Sequence, residues 1–185
     1  MRPGMVKPTG RAARFDEHEL IVSKTDPKGR ITYANAVFQR VSGYAEAELL
    51  GAPHNIIRHP EMPAAVFKLL WDRLGAGHEV FAYVLNLARN GDHYWVFAHV
   101  TPTYDARGGL AGYHSNRRVP YADALEKVVP LYAEMRAVER RASDYRAGMA
   151  AAGAVLQGTL DRAGLDYDRF VFALSAHTGL GARAA

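Results

Sequence analysis

A chain of 185 residues, 49% apolar and 23% charged, has the make-up of a globular protein with one ordinary domain and helical additions, neither disordered nor fibrous. No run approaches the ~18 apolar residues of a membrane span. Met1 to Thr9 has basic residues without the apolar core of a secretory signal, and the absence of cysteine excludes disulfides, thiolate metal sites and cysteine nucleophiles. The expected setting is cytoplasmic. The net charge of +4 resides in residues 1–118, with fifteen Lys and Arg against eleven Asp and Glu, while the remainder holds eight of each. No block of like charges marks a nucleic-acid tail; a mildly basic surface is expected, with a basic pocket for an anion as the alternative.

Residues 1–18, rich in Pro, Gly, Arg and Ala, read as a loose N-terminal cap. Glu19–Lys24 and Arg30–Ala34 are β-prone runs joined by the turn Asp26-Pro-Lys-Gly29, a hairpin signal. Asn35 suits a helix N-cap, and Ala45–Leu50 is a helical turn stopped by Gly51. Glu61–Leu74 is predicted as the longest helix before the meander, with Phe67, Leu70, Trp71 and Leu74 on one face and Gly75 and Gly77 ending it. Val80–Ala88 and His93–Thr103 flank Asn90-Gly91, which suits a tight hairpin. Arg107–Gly109 then turns the chain into Leu110–Arg117. The plan is α+β: one five-stranded antiparallel sheet over residues 19–119 with the helices on one face and room for a pocket between.

Residues 120–185 read as a C-terminal helical extension. Tyr121, Ala124, Val128, Leu131, Met135, Val138, Ala142, Tyr145 and Met149 alternate spacings of three and four, which describes a seam. It would pack on the chain's own sheet or on a second copy. Pro130 inside it predicts a kink, or a restart with Pro130 in the first turn of a second helix. Asp166–Ala176 reads as a closing helix with Phe170, Val171 and Leu174 as its apolar stripe.

The segment Pro53–Pro63 concentrates two His, Asn, Arg and Glu between prolines ahead of an apolar helix. Arg58 and His59 there could meet an anion at a helix N-terminus, or Arg58 could pair with Glu61 while the prolines shape a turn. His93, Trp95, Phe97 and His99 share one strand face. The two histidines lie ~20 Å apart along the strand and cannot share a metal ion. A haem with one axial His is a further possibility. No Ser-His-Asp order, P-loop or GxGxxG is present, so no enzyme is expected. Isolated aromatics such as Trp71 and Trp95 are more often core than cofactor wall.

The runs Ile31-Thr-Tyr-Ala-Asn-Ala-Val-Phe38, Val41-Ser-Gly-Tyr44, Glu48-Leu-Leu-Gly51, Asn90-Gly-Asp-His-Tyr-Trp95 and Gly112-Tyr113 resemble a PAS sensor domain. The insert Gly51–Pro63 with Asn90–Val96 narrows the likeness to the PAS domains of bacterial aerotaxis receptors. The resemblance spans about residues 17–120, continues weakly through Val129–Tyr132, and implies FAD held non-covalently by a redox sensor. By that likeness Asn35, His54 and Asn55 line the flavin cleft or open its loop. Arg58, His59 and Glu61 form the family's Arg-His-Pro-acid signature, here with Glu for the usual Asp. Phe67 and Trp71 face the ring, Asn86 meets its polar edge, and Trp95 completes the set. His54 stands where light-sensing relatives have cysteine, so no cysteinyl adduct can form. Membrane helices, a HAMP relay and a signalling coiled coil, expected after such a domain, are not in the sequence. The expectation is therefore a signal passed to a separate chemoreceptor or histidine kinase, with a homodimer formed through the C-terminal helix. The alternatives are a cofactor-free PAS interaction module and a haem-binding gas sensor.

Overall fold

Turn chemistry sets the first hairpin. In the computed structural model, which describes residues 6–174, Asp26 Oδ1 accepts from the backbone of Lys28 and Arg30, each at 2.8 Å, and Gly29 takes φ +75°. The turn joins β1 (Ile21–Thr25) to β2 (Ile31–Ala34). Asn35 then caps α1 (Ala36–Ser42), and α2 (Glu46–Leu49) ends just before Gly51. A 3-10 turn, His54–Ile57, follows in the stretch between the prolines.

The long helix, α3, spans Ala64–Gly75 rather than starting at Glu61. Pro60 and Pro63 disfavour helical backbone at the residues before them, His59 and Met62, so the helix begins only beyond Pro63. Strands β3 (Val80–Leu87), β4 (His93–Tyr104) and β5 (Leu110–Arg118) complete an antiparallel sheet in the order β2-β1-β5-β4-β3. In the β3–β4 turn only Gly91, at φ +90°, uses positive φ; Asn90 instead folds its side chain onto Asp92. The described part of the N-terminal cap is not loose. Thr9 donates its amide to Gly91 O, and Arg11 and Ala13 exchange backbone bonds with His93, all at 2.8 Å.

Of the two outcomes expected at Pro130, the restart does not occur. Helix α4 (Ala122–Arg141) runs through Pro130, and the interruption falls at 142–144, where Asp144 caps α5 (Tyr145–Ala163). The seam is therefore folded back on itself. Ala124, Val128, Leu131 and Met135 are buried in the chain's own core, and α4 packs on α5. Asp166 caps α6 (Tyr167–Ala173); the predicted continuation through Ser175 and Ala176, like Met1–Met5 of the cap, lies outside the described residues.

The C-terminal helices reach beyond the face that the short helices occupy. The Tyr132 and Tyr167 hydroxyls, on α4 and α6, donate to the carbonyls of Tyr83 (2.8 Å) and Phe81 (2.9 Å) on β3, which ends the sheet. The extension thus covers an edge whose free backbone groups would invite pairing with another chain.

Candidate functional site

Alternation along the strands decides what the cleft is made of. Ser23 and Thr25 of β1, Val84 and Asn86 of β3, Ala98 and Val100 of β4, and Tyr113, Ser115 and Arg117 of β5 face the short helices. His54, Asn55 and Arg58 stand across from them with Phe67 and Trp71 of α3. Tyr145 and Met149 of α5 also line the cavity between, whose volume is about 550 Å³. Trp95 and Phe97 of β4 point to the opposite face, and the small residues Ala98 and Val100 leave the room.

Six of the ten residues proposed from the sequence line this cleft: His54, Asn55, Arg58, Phe67, Trp71 and Asn86. The other four are used elsewhere. Asn35 spends its carbonyl on the amides of Val22 and Phe38, both 3.0 Å, and its amide on Leu20 O at 2.8 Å. His59 is buried, accepts from the Glu61 amide through Nδ1, and meets His93 edge-on. Glu61 pairs with Arg140 on α4 at 2.8 Å rather than with Arg58. Trp95 packs against Tyr132 across the sheet from the cleft, at 5.9 Å between ring centres.

Within the cleft, the Arg58 guanidinium lies 4.4 Å from the centre of the Phe67 ring, and its backbone bridges to that of Asn86. That bridge fixes the Asn86 side chain at the floor, where its Nδ2 is buried without a partner. The Trp71 ring is half exposed and meets Tyr113 edge-on. His54 stacks on Phe38 and shares a 3.1 Å hydrogen bond between its Nε2 and Ser23 Oγ. Burial, with the Arg117 charge added, pulls its pKa down to about 3, so the imidazole is neutral. Arg117 Nη2 donates to Ser23 Oγ, which lets the hydroxyl donate onward to His54 Nε2.

Sequence reasoning missed Ser23, Tyr113, Arg117, Tyr145 and Met149. The period of two on β5 places Tyr113, Ser115 and Arg117 together, yet polar residues on both faces gave no sign of which one turns inward. An apolar slot with unpartnered donors on its floor suits a planar heterocycle with acceptors along one edge.

Comparison with known proteins agrees with this architecture. A family model described as the PAS fold matches residues 31–116. The aerotaxis receptor of Escherichia coli K12 is 42% identical over 117 residues, 63% of this chain and 23% of the receptor. The biofilm dispersion protein BdlA of Pseudomonas aeruginosa is 30% identical over 60% of this chain and 26% of its own length. The chain therefore spans about a quarter of the length of these two relatives. A solved light-oxygen-voltage domain, studied with a flavin analogue, superposes with a TM-score of 0.53 at 21% identity, covering 60% of this chain and 83% of that one. By fold, and by sequence over residues 31–116, the chain carries a PAS domain, and it is related to aerotaxis receptors.

Proposed function

We propose that the cleft binds a flavin, FAD in the first instance, and that the domain senses redox state and passes the signal to a separate partner such as a chemoreceptor or histidine kinase. The observation that carries the reading is Asn86, which lines a largely apolar cavity of about 550 Å³ and whose buried amide Nδ2 has no partner within the protein. Leaving such a donor unmade costs ~1–3 kcal/mol, which a ligand acceptor would recover. Phe67 and Trp71 supply the walls on the α3 side, and Val84, Ala98 and Val100 those on the sheet. The relation to aerotaxis receptors and to a light-oxygen-voltage domain studied with a flavin analogue supports this choice of ligand.

A bound flavin would supply reversible uptake of electrons. Asn86 offers both a donor and an acceptor and can rotate to serve either state of the ring edge. A shift of ~1.4 kcal/mol in that balance changes a two-state ratio tenfold. The route outward is short, since Tyr145 and Met149 of α5 share the cleft with Asn86. With the α4 seam spent inside the chain, the output is contact with another protein rather than a dimer through that seam. Among the described residues no helix is long and apolar enough to cross a membrane.

Absorption spectra of the purified protein, incubated with FAD or FMN, desalted, and then treated with dithionite, test the reading. Retained flavin bands that bleach on reduction support it, and the flavin retained more tightly identifies the ligand. A protein that keeps neither flavin contradicts it, and a Soret band in their place favours haem.

A further inference from the structure

The sheet carries a buried charge that the fold itself does not neutralise. Arg117 on β5 is only 3% exposed. Its Nη2 donates to Ser23 Oγ and its guanidinium carbon lies 4.6 Å from the centre of the Phe38 ring, while Nε and Nη1 have no partner. The same side chain lines the cleft.

The groups facing it bring no negative charge. From β1 comes the Ser23 hydroxyl; from the 3-10 turn comes His54, held neutral by burial and by Arg117 itself. From β4 comes the Tyr94 phenol, buried and unpartnered, with its pKa pushed well up by burial. Among the described residues no carboxylate pairs with Arg117. Burial lowers its pKa to about 10, which leaves it charged at neutral pH. An unpaired buried guanidinium works against folding, and Arg117 lines the cavity with two donors unpartnered, so its counterpart is expected to come from the ligand.

We propose that Arg117 is the electrostatic anchor of the ligand site. Its free N–H groups take an oxygen or nitrogen on the edge of the bound heterocycle and favour the form of that ring that carries negative charge. The inference rests on the flavin reading for the identity of the ring. In those terms, Arg117 lets two electrons from an external reductant enter with one proton instead of two. The reduced ring then keeps a single negative charge, opposite the guanidinium. Ser23 and His54 act as positioning residues that aim Arg117 through the hydrogen bonds described above.

The test compares the wild-type chain with Arg117→Met and Arg117→Lys. Without ligand, R117M is expected to melt at a higher temperature than the wild type, because it removes an unpaired buried charge. It is expected to bind FAD at least tenfold more weakly, with R117K intermediate. On the FAD-loaded proteins, the wild-type midpoint potential should fall by ~30 mV per pH unit between about pH 5 and pH 6.5, one proton per two electrons, and that of R117M twice as steeply. Each tenfold loss of preference for the reduced ring lowers the midpoint by a further ~30 mV.

Lower melting of ligand-free R117M with unchanged FAD affinity would make Arg117 a structural residue and overturn the proposal. Equal pH slopes in wild type and R117K, together with the double slope in R117M, support it; a double slope in all three overturns the charge assignment. If R117M does not fold, R117K decides by the same affinity and slope. A wild type that binds no flavin sinks the flavin reading instead, and the melting comparison of ligand-free proteins still decides whether the fold needs Arg117.

Discussion

Arg140 on α4 holds Glu61 of the cleft-lining loop in a 2.8 Å ion pair, and its neighbour Glu139 reaches the start of α3 just beyond that loop. Glu139 Oε1 accepts from the Ala65 amide in the first turn of α3 at 3.1 Å, and Oε2 accepts from Arg136 Nη1 at 2.7 Å. The acid that the family signature suggested for cofactor contact is thus tied to the C-terminal extension. The two ties differ in weight. Glu139 is almost wholly buried and satisfies a helix-end donor, whereas the Glu61–Arg140 pair is about half exposed.

The Glu139→Ala variant is therefore expected to lose ~1–2 kcal/mol of unfolding free energy. Arg140→Ala should lose less than ~0.5 kcal/mol, as exposed pairs do. Urea denaturation of both variants at neutral pH reads the difference. Equal losses would contradict the assignment of Glu139 as the main tie between α4 and α3.

Acid should weaken the protein through His54. Its pKa is about 3 in the fold against 6.5 for the ordinary side chain, so between those values the unfolded chain binds the extra proton. Stability is then complete above about pH 6.5 and falls as the pH drops toward 3, by up to ~1.4 kcal/mol per pH unit. A His54→Phe variant lacks this contribution. Its stability should decline less than that of the wild type between pH 6.5 and pH 5, measured by urea titration at each pH.

Backbone contact at Gly112 should prove intolerant. It sits at φ +154°, and a Cβ there would lie 1.9 Å from the Thr25 carbonyl oxygen, backbone against backbone. Gly112→Ala must push β5 from β1 and is expected to cost about 2 kcal/mol or more. Thermal unfolding by circular dichroism checks it, and a melting temperature near that of the wild type would count against the packing described.

The sheet was legible because its strands are separated by turns with a definite chemistry, such as Asp26–Gly29 and Gly91. The helical periodicity of α3 was equally plain, although prolines moved its start to Ala64. What local sequence does not carry is which strand face turns inward. On β4 Trp95 and Phe97 suggest the core side, yet the more buried side is that of Tyr94, Val96 and Ala98, and the cleft is left where that side carries the small Ala98 and Val100. Arg117 and Ser23 are 94 residues apart, and only strand pairing brings them together. The spacing from Tyr121 to Met149 is periodic in the sequence, but it runs over two helices rather than one. Its fold-back at 142–144 depends on the tight approach of Gly148 to Glu139, where a Cβ would lie 3.0 Å from the carbonyl oxygen, and spacing alone does not reveal that.

Plugging the cleft asks most directly whether a three-ring guest resides there. Ala98 lines the sheet side of the cavity of about 550 Å³, so Ala98→Phe would direct a ring toward that space. In an FAD titration followed by absorbance, the wild type should bind saturably, and A98F should fold with near-normal melting yet bind no FAD. Wild-type affinity in a folded A98F protein would contradict the account.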